Sequence, residues 1–292
     1  MQERVRVAAV AVDTKPGQIE DNLAKIEHWC RLAAEQASEL VAFQELSLSG
    51  FLPNHPTTNH ETWLRSALHQ GRTIAQTIPG PATEKLQEIA SRYGILISVG
   101  LLEDAGNLMF NTQILVDGSG VVGRFRKMHV PMFEMPFYNG GEVPTVVDTR
   151  LGRIGVNICF DALLPESTRL LAVQNVEIVL FPFAADPPPG DVAGWEDWAR
   201  VALSARCSEN GVYGVASNYV GHVEAVGTVQ SFPGGGMIVG PRGEQLAAWN
   251  TPSGEPGMLV HELCRDNLLL ARSEPEYLFR FRRPELYRTI AE

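Results

Sequence analysis

Four residues of reactive type stand at or just beyond apolar runs. They are Glu45 after "VAFQ", Lys127 in "RFRKMHV", Glu134 in "PMFEMPFYNGG" and Cys159 after "VNI". The cysteine is the most telling. In "VNICFDALLPES" (Val156 to Ser167) a run of β-branched residues stops at the thiol, an acid follows two positions later, and a helix opens at "PES". A packing cysteine belongs inside such a run, because free Cys behaves as a small hydrophobe. One at the carboxyl end of a strand lies where α/β folds bind ligands. A thiol with an unperturbed pKa of about 8.5 needs a base or a positive field to act as a nucleophile at neutral pH. A carboxylate can take that proton if burial raises its own pKa. An ammonium can stabilise the oxyanion formed when the thiolate adds to a carbonyl carbon. Each residue alone also has a plainer role, since most Glu and Lys are solvated and most Cys are buried and inert.

For these residues to meet, strands must bring their ends together. "RVRVAAVAV" reads as a strand and "IEDNLAKIEHWCRLAAEQA" as an amphipathic helix with Leu23, Ile26, Trp29 and Cys30 on one face. The strand "ELVAFQE" ends at Glu45, and the helix "ATEKLQEIASRYG" stops at a glycine suited to a C-cap. "ILISVGLLE", "LMFNTQILVD" and "VVGRFRKMHV" follow as strands, joined at "EDAGN" and "DGSG". After Cys159 come a helix "PESTRLLAVQN", a strand "VEIVLFPF", a helix "WEDWARVALSARCSEN" and a strand "GVYGVASN", with "GGGMIVG" and "GMLVHEL" as further strands. The alternation predicts one α/β domain over residues 1–275, with helices covering mixed sheets. Residues 276–292, with "FRFRRPELYR", read as an extension that packs on the body or at a subunit interface.

The chain has 292 residues, 45% hydrophobic and 20% charged, with a formal net charge of −10. That composition suits a sizeable buried core. The acidic balance argues against a nucleic-acid partner or an anionic membrane. No run approaches 18 apolar residues and no signal peptide is visible. Four widely spaced cysteines without a CxxC predict reduced thiols and a cytoplasmic location.

Three ordered stretches carry a family resemblance: "FQELSLSGF" (Phe43 to Phe51), "GRFRKMHVP" (Gly123 to Pro131) and "NICFDALLPE" (Asn157 to Glu166). They resemble, in order and separation, the three catalytic blocks of the nitrilase superfamily, the carbon–nitrogen hydrolases that include amidases, carbamoylases and nitrilases. "FNTQILVDGSGVVG", "ARCSENGVYGVASN", "GPRGEQLA" and "RRPELY" extend the likeness over nearly the whole chain. The resemblance implies an αββα sandwich, usually paired into a homodimer or larger homo-oligomer. It also implies Cys159 as nucleophile, Glu45 as general base and Lys127 as the oxyanion-stabilising cation, with the N–H of Phe160 sharing the oxyanion. Glu134 matches a second glutamate that positions the substrate in many amidase and carbamoylase branches.

The remaining candidates take supporting parts. His129, in the family's "KxH" pattern, suits an orienting role, and Asp161 suits holding Lys127 or local backbone. Glu166 and Arg169 lie three apart on a helix, a spacing for an ion pair. His55, His60 and His69 lack metal-ligand spacing and read as loop histidines, so no metal or other cofactor is expected. "PGGGMIVG" lacks the lysine and hydroxyl of a phosphate loop, and a turn or close backbone approach is expected there. Many relatives carry serine where Gly236 stands, which leaves a polar contact normally made there in question. Cys30, Cys207 and Cys264 read as packing residues.

True nitrilases usually carry tryptophan then glutamate after the nucleophile, whereas this chain has Phe160 and Asp161. That favours amides or ureido compounds over nitriles. Phe51, Phe133, Phe160, Phe183 and Trp195 are expected to line the pocket, with Phe137 near them, and would suit an apolar acyl group. A carbamoyl amino acid needs a clamp for its carboxylate. The nearby arginines are Arg124 and Arg126, with Arg200 and Arg206 able to reach in. The expectation is a linear-amide hydrolase releasing ammonia through a thioester on Cys159. An N-carbamoyl hydrolase is the rival, and a non-catalytic scaffold would have lost one of the reactive residues.

Overall fold

The computed structural model describes residues 1–54, 60–142, 144–186, 194–249 and 254–290. In chain order the elements are β1 (Arg4–Ala11), α1 (Ile19–Glu35), β2 (Leu40–Phe43), α2 (His60–Ile74), α3 (Pro81–Tyr93), β3 (Leu96–Ala105), β4 (Leu108–Asp117) and β5 (Gly120–Arg126). The second half holds β6 (Val147–Thr149), β7 (Gly152–Val156), α4 (Pro165–Ala172), β8 (Ile178–Phe183), α5 (Gly194–Asn210), β9 (Tyr213–Asn218), β10 (Val220–Ala225), β11 (Thr228–Pro233), β12 (Gly236–Val239), β13 (Gln245–Trp249), β14 (Gly257–Cys264) and α6 (Arg265–Ser273).

Two six-stranded sheets form, in the orders β14-β1-β2-β3-β4-β5 and β13-β12-β9-β8-β7-β6. Each has three parallel strands at its centre, β1-β2-β3 and β7-β8-β9, flanked by antiparallel ones. Strand alternation sorts the side chains. Val5, Val7 and Ala9 of β1 meet Ile154, Val156, Leu180 and Val215 of the other sheet in one apolar layer. Ala8 and Val10 turn outward onto Leu23, Ile26 and Cys30 of α1 and Leu86 and Ile89 of α3. The outer face of the second sheet packs on Leu171 of α4 and on Ala199, Leu203 and Cys207 of α5. The layers are therefore α-β-β-α, the expected sandwich. Strands such as β2 and β8 are apolar throughout because both faces are covered.

Local signals explain several boundaries. Gly94 adopts φ 66° at the end of α3 and its N–H bonds to the carbonyl of Ala90, the expected C-cap. Asp117 Oδ1 accepts from the N–H of Ser119 at 2.8 Å in the β4–β5 turn. Other expectations need correcting. The strand through "RKMHV" ends at Arg126, so Lys127 lies just past it. His60 and His69 are helical, on α2, while His55 falls outside the described residues. Glu166 and Arg169 do not pair: Glu166 is exposed, and Arg169 donates to the carbonyl of Glu209 and lies near the ring of Phe279. The β10–β11 hairpin, which turns at Val226 and Gly227 with positive φ, was not foreseen.

After α6 the chain runs back over its own body. The Tyr277 hydroxyl donates to the carbonyl of Asn210 at 2.9 Å, while Leu278, Phe281, Leu286 and Ile290 stay exposed. Among the described residues no helix is long and apolar enough to cross a membrane.

Candidate active site

The ends of β2, β5, β7 and β8 converge on one polar cluster of side chains, at the junction of three apolar clusters. Glu45 lies two residues beyond β2, followed by Leu46 at φ 51°. This bend rests on β3, with the N–H of Leu48 on the carbonyl of Gly100 at 2.7 Å and the N–H of Gly100 on Ser47 Oγ at 3.1 Å. Gly100 permits the contact, because a Cβ there would lie 2.3 Å from the nitrogen of Leu46. The fully buried carboxylate of Glu45 accepts from Asn111 Nδ2 at 2.6 Å and Lys127 Nζ at 2.8 Å, both on Oε1. Its other oxygen, Oε2, is buried and takes no hydrogen bond from the protein. A buried oxygen left without a partner is rare in a folded protein.

Lys127 is held by its backbone as well as its tip. Its N–H donates to the carbonyl of Asn111 at 2.8 Å and its carbonyl accepts from Gly141 at 2.7 Å. The buried ammonium bridges Glu45 and Glu134 Oε2, the latter at 2.7 Å. Burial works against its charge, but the carboxylates of Glu134 and Glu45 outweigh it and hold the lysine well above its usual pKa. Glu134 sits on a tight turn whose N–H bonds to the carbonyl of Pro131. Burial, opposed by Lys127 and reinforced by the charge of Glu45, raises its carboxyl to about 7.

Cys159 opens a 3-10 turn (Cys159–Leu163) and has φ 49°, a left-handed conformation that non-glycine residues seldom adopt. Such strain is found where a sharp turn must present a side chain. Burial pushes the thiol up, the charge of Glu45 adds to this, and Lys127 and the N–H of Ala184 oppose it; the net is well above the usual value. The residue is partly accessible, so solvent tempers this rise. These influences together favour the protonated sulfur over the thiolate.

Asp161 ties the turn that opens at Cys159 to the loop of Lys127. Its buried carboxylate accepts from the N–H groups of Ile158 at 3.1 Å, Met128 at 3.3 Å and His129 at 2.9 Å. It also meets His129 Nδ1 at 2.8 Å, and that hydrogen bond raises the imidazole's pKa. His129 and Asp161, expected in supporting parts, meet one another here, and Asp161 bonds to backbone N–H groups rather than to the Lys127 side chain.

The five aromatics divide. Phe51 is buried with Leu46, Tyr138 and Ala184, and Phe183 and Trp195 lie in the cluster against which Cys159 packs. Phe133 and Phe160 are exposed near the site's rim, with Phe133 49% accessible. Arg206, offered as a clamp, donates to the carbonyls of Ala162 and Leu163 and so braces the turn that opens at Cys159. Arg200 pairs with Asp197 at the surface, and Arg124 and Arg126 pair with Glu103. Gly234 and Gly235 have positive φ and form the expected turn before β12. A Cβ on Gly236 would lie 3.3 Å from the carbonyl oxygen of Ala216, a tight approach to backbone, and 3.5 Å from Ala9 Cβ. Three contributors were missed. Asn111 had a signal, a polar residue inside an apolar strand. Tyr138, whose buried phenol feels the charge of Glu134, and the N–H of Ala184 had none. Among the described residues no group of side chains is placed to hold a metal ion.

The profile of the family described as "Carbon-nitrogen hydrolase" matches residues 6–270. The chain belongs to the carbon–nitrogen hydrolase family. Within the family it is 28% identical to an N-carbamoylputrescine amidase of Solanum lycopersicum, covering 99% of this chain and 97% of that one. It is 30% identical to a nitrilase of Pyrococcus abyssi, covering 89% and 90%. Among solved structures, the amidase of Nesterenkonia sp. AN1, in a variant with acrylamide added to its active-site cysteine, superposes with TM-score 0.75 at 26% identity, covering 98% and 99%. A carbon–nitrogen hydrolase of Helicobacter pylori shares the fold with TM-score 0.81 over 99% of both chains at 19% identity.

Proposed function

We propose that this family member is an amidase that converts R–CO–NH2 and water to a carboxylate and ammonia through a thioester on Cys159. The observation that carries the reading is the buried Glu45–Lys127–Glu134 array, with one oxygen of Glu45 unbonded, beside a cysteine on a strained turn. In the first half-reaction Glu45 takes the thiol proton as sulfur bonds to the carbonyl carbon. Lys127 and the N–H of Phe160 hold the oxyanion. The C–N bond then breaks, and the nitrogen leaves as ammonia with the proton held by Glu45. Water, deprotonated by Glu45, attacks the thioester; the C–S bond breaks and sulfur regains a proton. Glu134 holds the amide so that its carbonyl carbon faces sulfur.

The flanking aromatic clusters favour an apolar acyl group, and the engagement of Arg124, Arg126, Arg200 and Arg206 elsewhere leaves none of these four to clamp a carboxylate. The relatives support the amide reading, since an amidase of Nesterenkonia sp. AN1 is among them. They equally support N-carbamoyl hydrolysis, because an N-carbamoylputrescine amidase aligns over nearly the whole chain. A substrate panel tests both: ammonia without carbon dioxide supports the amide, ammonia with carbon dioxide the carbamoyl compound. Cys159→Ala should abolish turnover of the active substrate with the fold intact by circular dichroism, and surviving turnover would end the mechanism. We further propose a cytoplasmic homo-oligomer acting on a small molecule, with the extension after residue 275 at the subunit interface.

A further inference from the structure

A second charge cluster, a buried carboxylate met by partly exposed guanidinium groups, lies on the helix-covered face of the same sheet. Glu103, 2% accessible near the end of β3, accepts from Arg126 Nε at 2.9 Å and Nη2 at 2.6 Å, a two-pronged pair. Thr112 Oγ1 on β4 donates to it at 2.7 Å and Arg124 Nη1 at 3.3 Å. The guanidinium of Arg126 lies 3.7 Å over the ring of Phe110. The pair therefore joins β3, β4 and β5 at the point where β5 ends. The next residue is Lys127, and successive side chains point to opposite faces of the sheet. The loop that follows Glu134 comes back against this strand end, where a Cβ at Gly141 would fall 2.5 Å from the Cβ and 2.6 Å from the carbonyl oxygen of Arg126. The N–H of Gly141 bonds to the carbonyl of Lys127, and the N–H of Asn139 to that of Met109 on β4.

An ion pair with a buried carboxylate is a weak source of stability, because desolvation of that group offsets much of the attraction. Its cost is more readily understood if it fixes a position. We propose that Arg126, locked by Glu103 and Phe110, is a positioning residue that sets where the ammonium of Lys127 and the carboxyl of Glu134 stand relative to Cys159. The proposal rests on the assignment of those three residues to the reaction. It requires no contact between Arg126 and substrate.

Arg126→Lys keeps the charge and loses the two-pronged geometry. Arg126→Met removes both, and Glu103→Gln keeps the shape of the acceptor while removing its charge. At a temperature well below each variant's melting point, amide turnover should fall roughly tenfold in Arg126→Lys and about 100-fold in Arg126→Met, the scale of a misplacement near 1 Å. The fall should lie in kcat more than in KM. A second readout needs no amide: alkylation of Cys159 by a small alkyl halide, followed against pH. Cys159 is faced by Glu45, Glu134 and Lys127, of which Lys127 alone favours the thiolate. Withdrawal of Lys127 should move the alkylation profile to higher pH in Arg126→Met and in Glu103→Gln, with Arg126→Lys in between. If no amide is turned over by the wild type, the proposed reaction fails while the alkylation profiles still judge the clamp. Variants that melt earlier yet keep wild-type alkylation profiles, and wild-type turnover where it can be measured, would overturn it. Should Arg126→Met not fold, Glu103→Gln and Arg126→Lys carry the same test.

Discussion

Lys127 shares one ammonium between two carboxylates, and the difference between those carboxylates can be measured. Glu45 has an oxygen free for the thiol's proton, so Glu45→Gln should slow both amide turnover and alkylation of Cys159. Glu134 spends its Oε2 on Lys127, and its assigned task is to hold the amide. Glu134→Gln should therefore lower turnover by about 10² or more, on the order of 3 kcal/mol, with alkylation near the wild-type rate. Equal losses of alkylation in both variants would remove Glu134 from the positioning role. Glu134 also has a thermodynamic signature. Its folded pKa, about 7, is raised above the ordinary carboxyl value by burial. The protonated form is thus favoured by folding, and that stabilisation is full below about pH 4.5 and is lost as pH rises through 7. The melting temperature of the wild type should fall relative to that of Glu134→Gln between about pH 5 and pH 7. A difference that stays flat over this range would show that the carboxyl titrates normally.

At the scale of elements, the site depends on turns that let backbone approach backbone. Gly100 is the sharpest case, and Gly100→Ala should destabilise by about 2 kcal/mol in denaturant titration while also lowering turnover, because the bend after Glu45 must shift. Gly71→Ala in α2 meets nothing closer than 3.5 Å and should be neutral or stabilising. Equal effects at the two positions would mean that the bend is tolerant. The contrast between the two glycines also indicates what the sequence could convey. The helix stop at Gly94 and the three blocks around Glu45, Lys127 and Cys159 were legible, because each is a local pattern of apolar period and punctuation, whereas the strands before Glu45 and Lys127 end short of the expected bounds. What Asp161 does was half legible: its place was clear, but its backbone donors at Met128 and His129 come from a loop 32 residues away. The N–H of Ala184 was invisible, since every residue but proline offers that group. The helix α2 was not legible, because its few apolar residues, Trp63, Ala67 and Ile74 among them, are scattered through a largely polar stretch.

At the scale of the whole molecule, the tail after α6 leaves Leu278, Phe281, Leu286 and Ile290 exposed together with several arginines. Exposed apolar side chains clustered on one short segment are unusual for an isolated monomer. A homodimer or larger assembly is expected at micromolar concentration, and light scattering that finds only the 32.0 kDa chain would reject it. Truncation before residue 276 should then shift the mass towards the single chain. The register of the first sheet has a consequence of another kind. β1 lies between β2 and β14, and Arg4 to Ala11 pair residue by residue with Cys264 to Gly257. During synthesis the earliest strand must therefore wait, with one edge open, until some 250 later residues have left the ribosome. Contacts of such long range slow folding, and an unpaired apolar edge in the meantime is a template for the wrong neighbour. Newly made chains of this protein should accordingly be most vulnerable to aggregation, and most in need of chaperones, in the interval just before their last strand emerges.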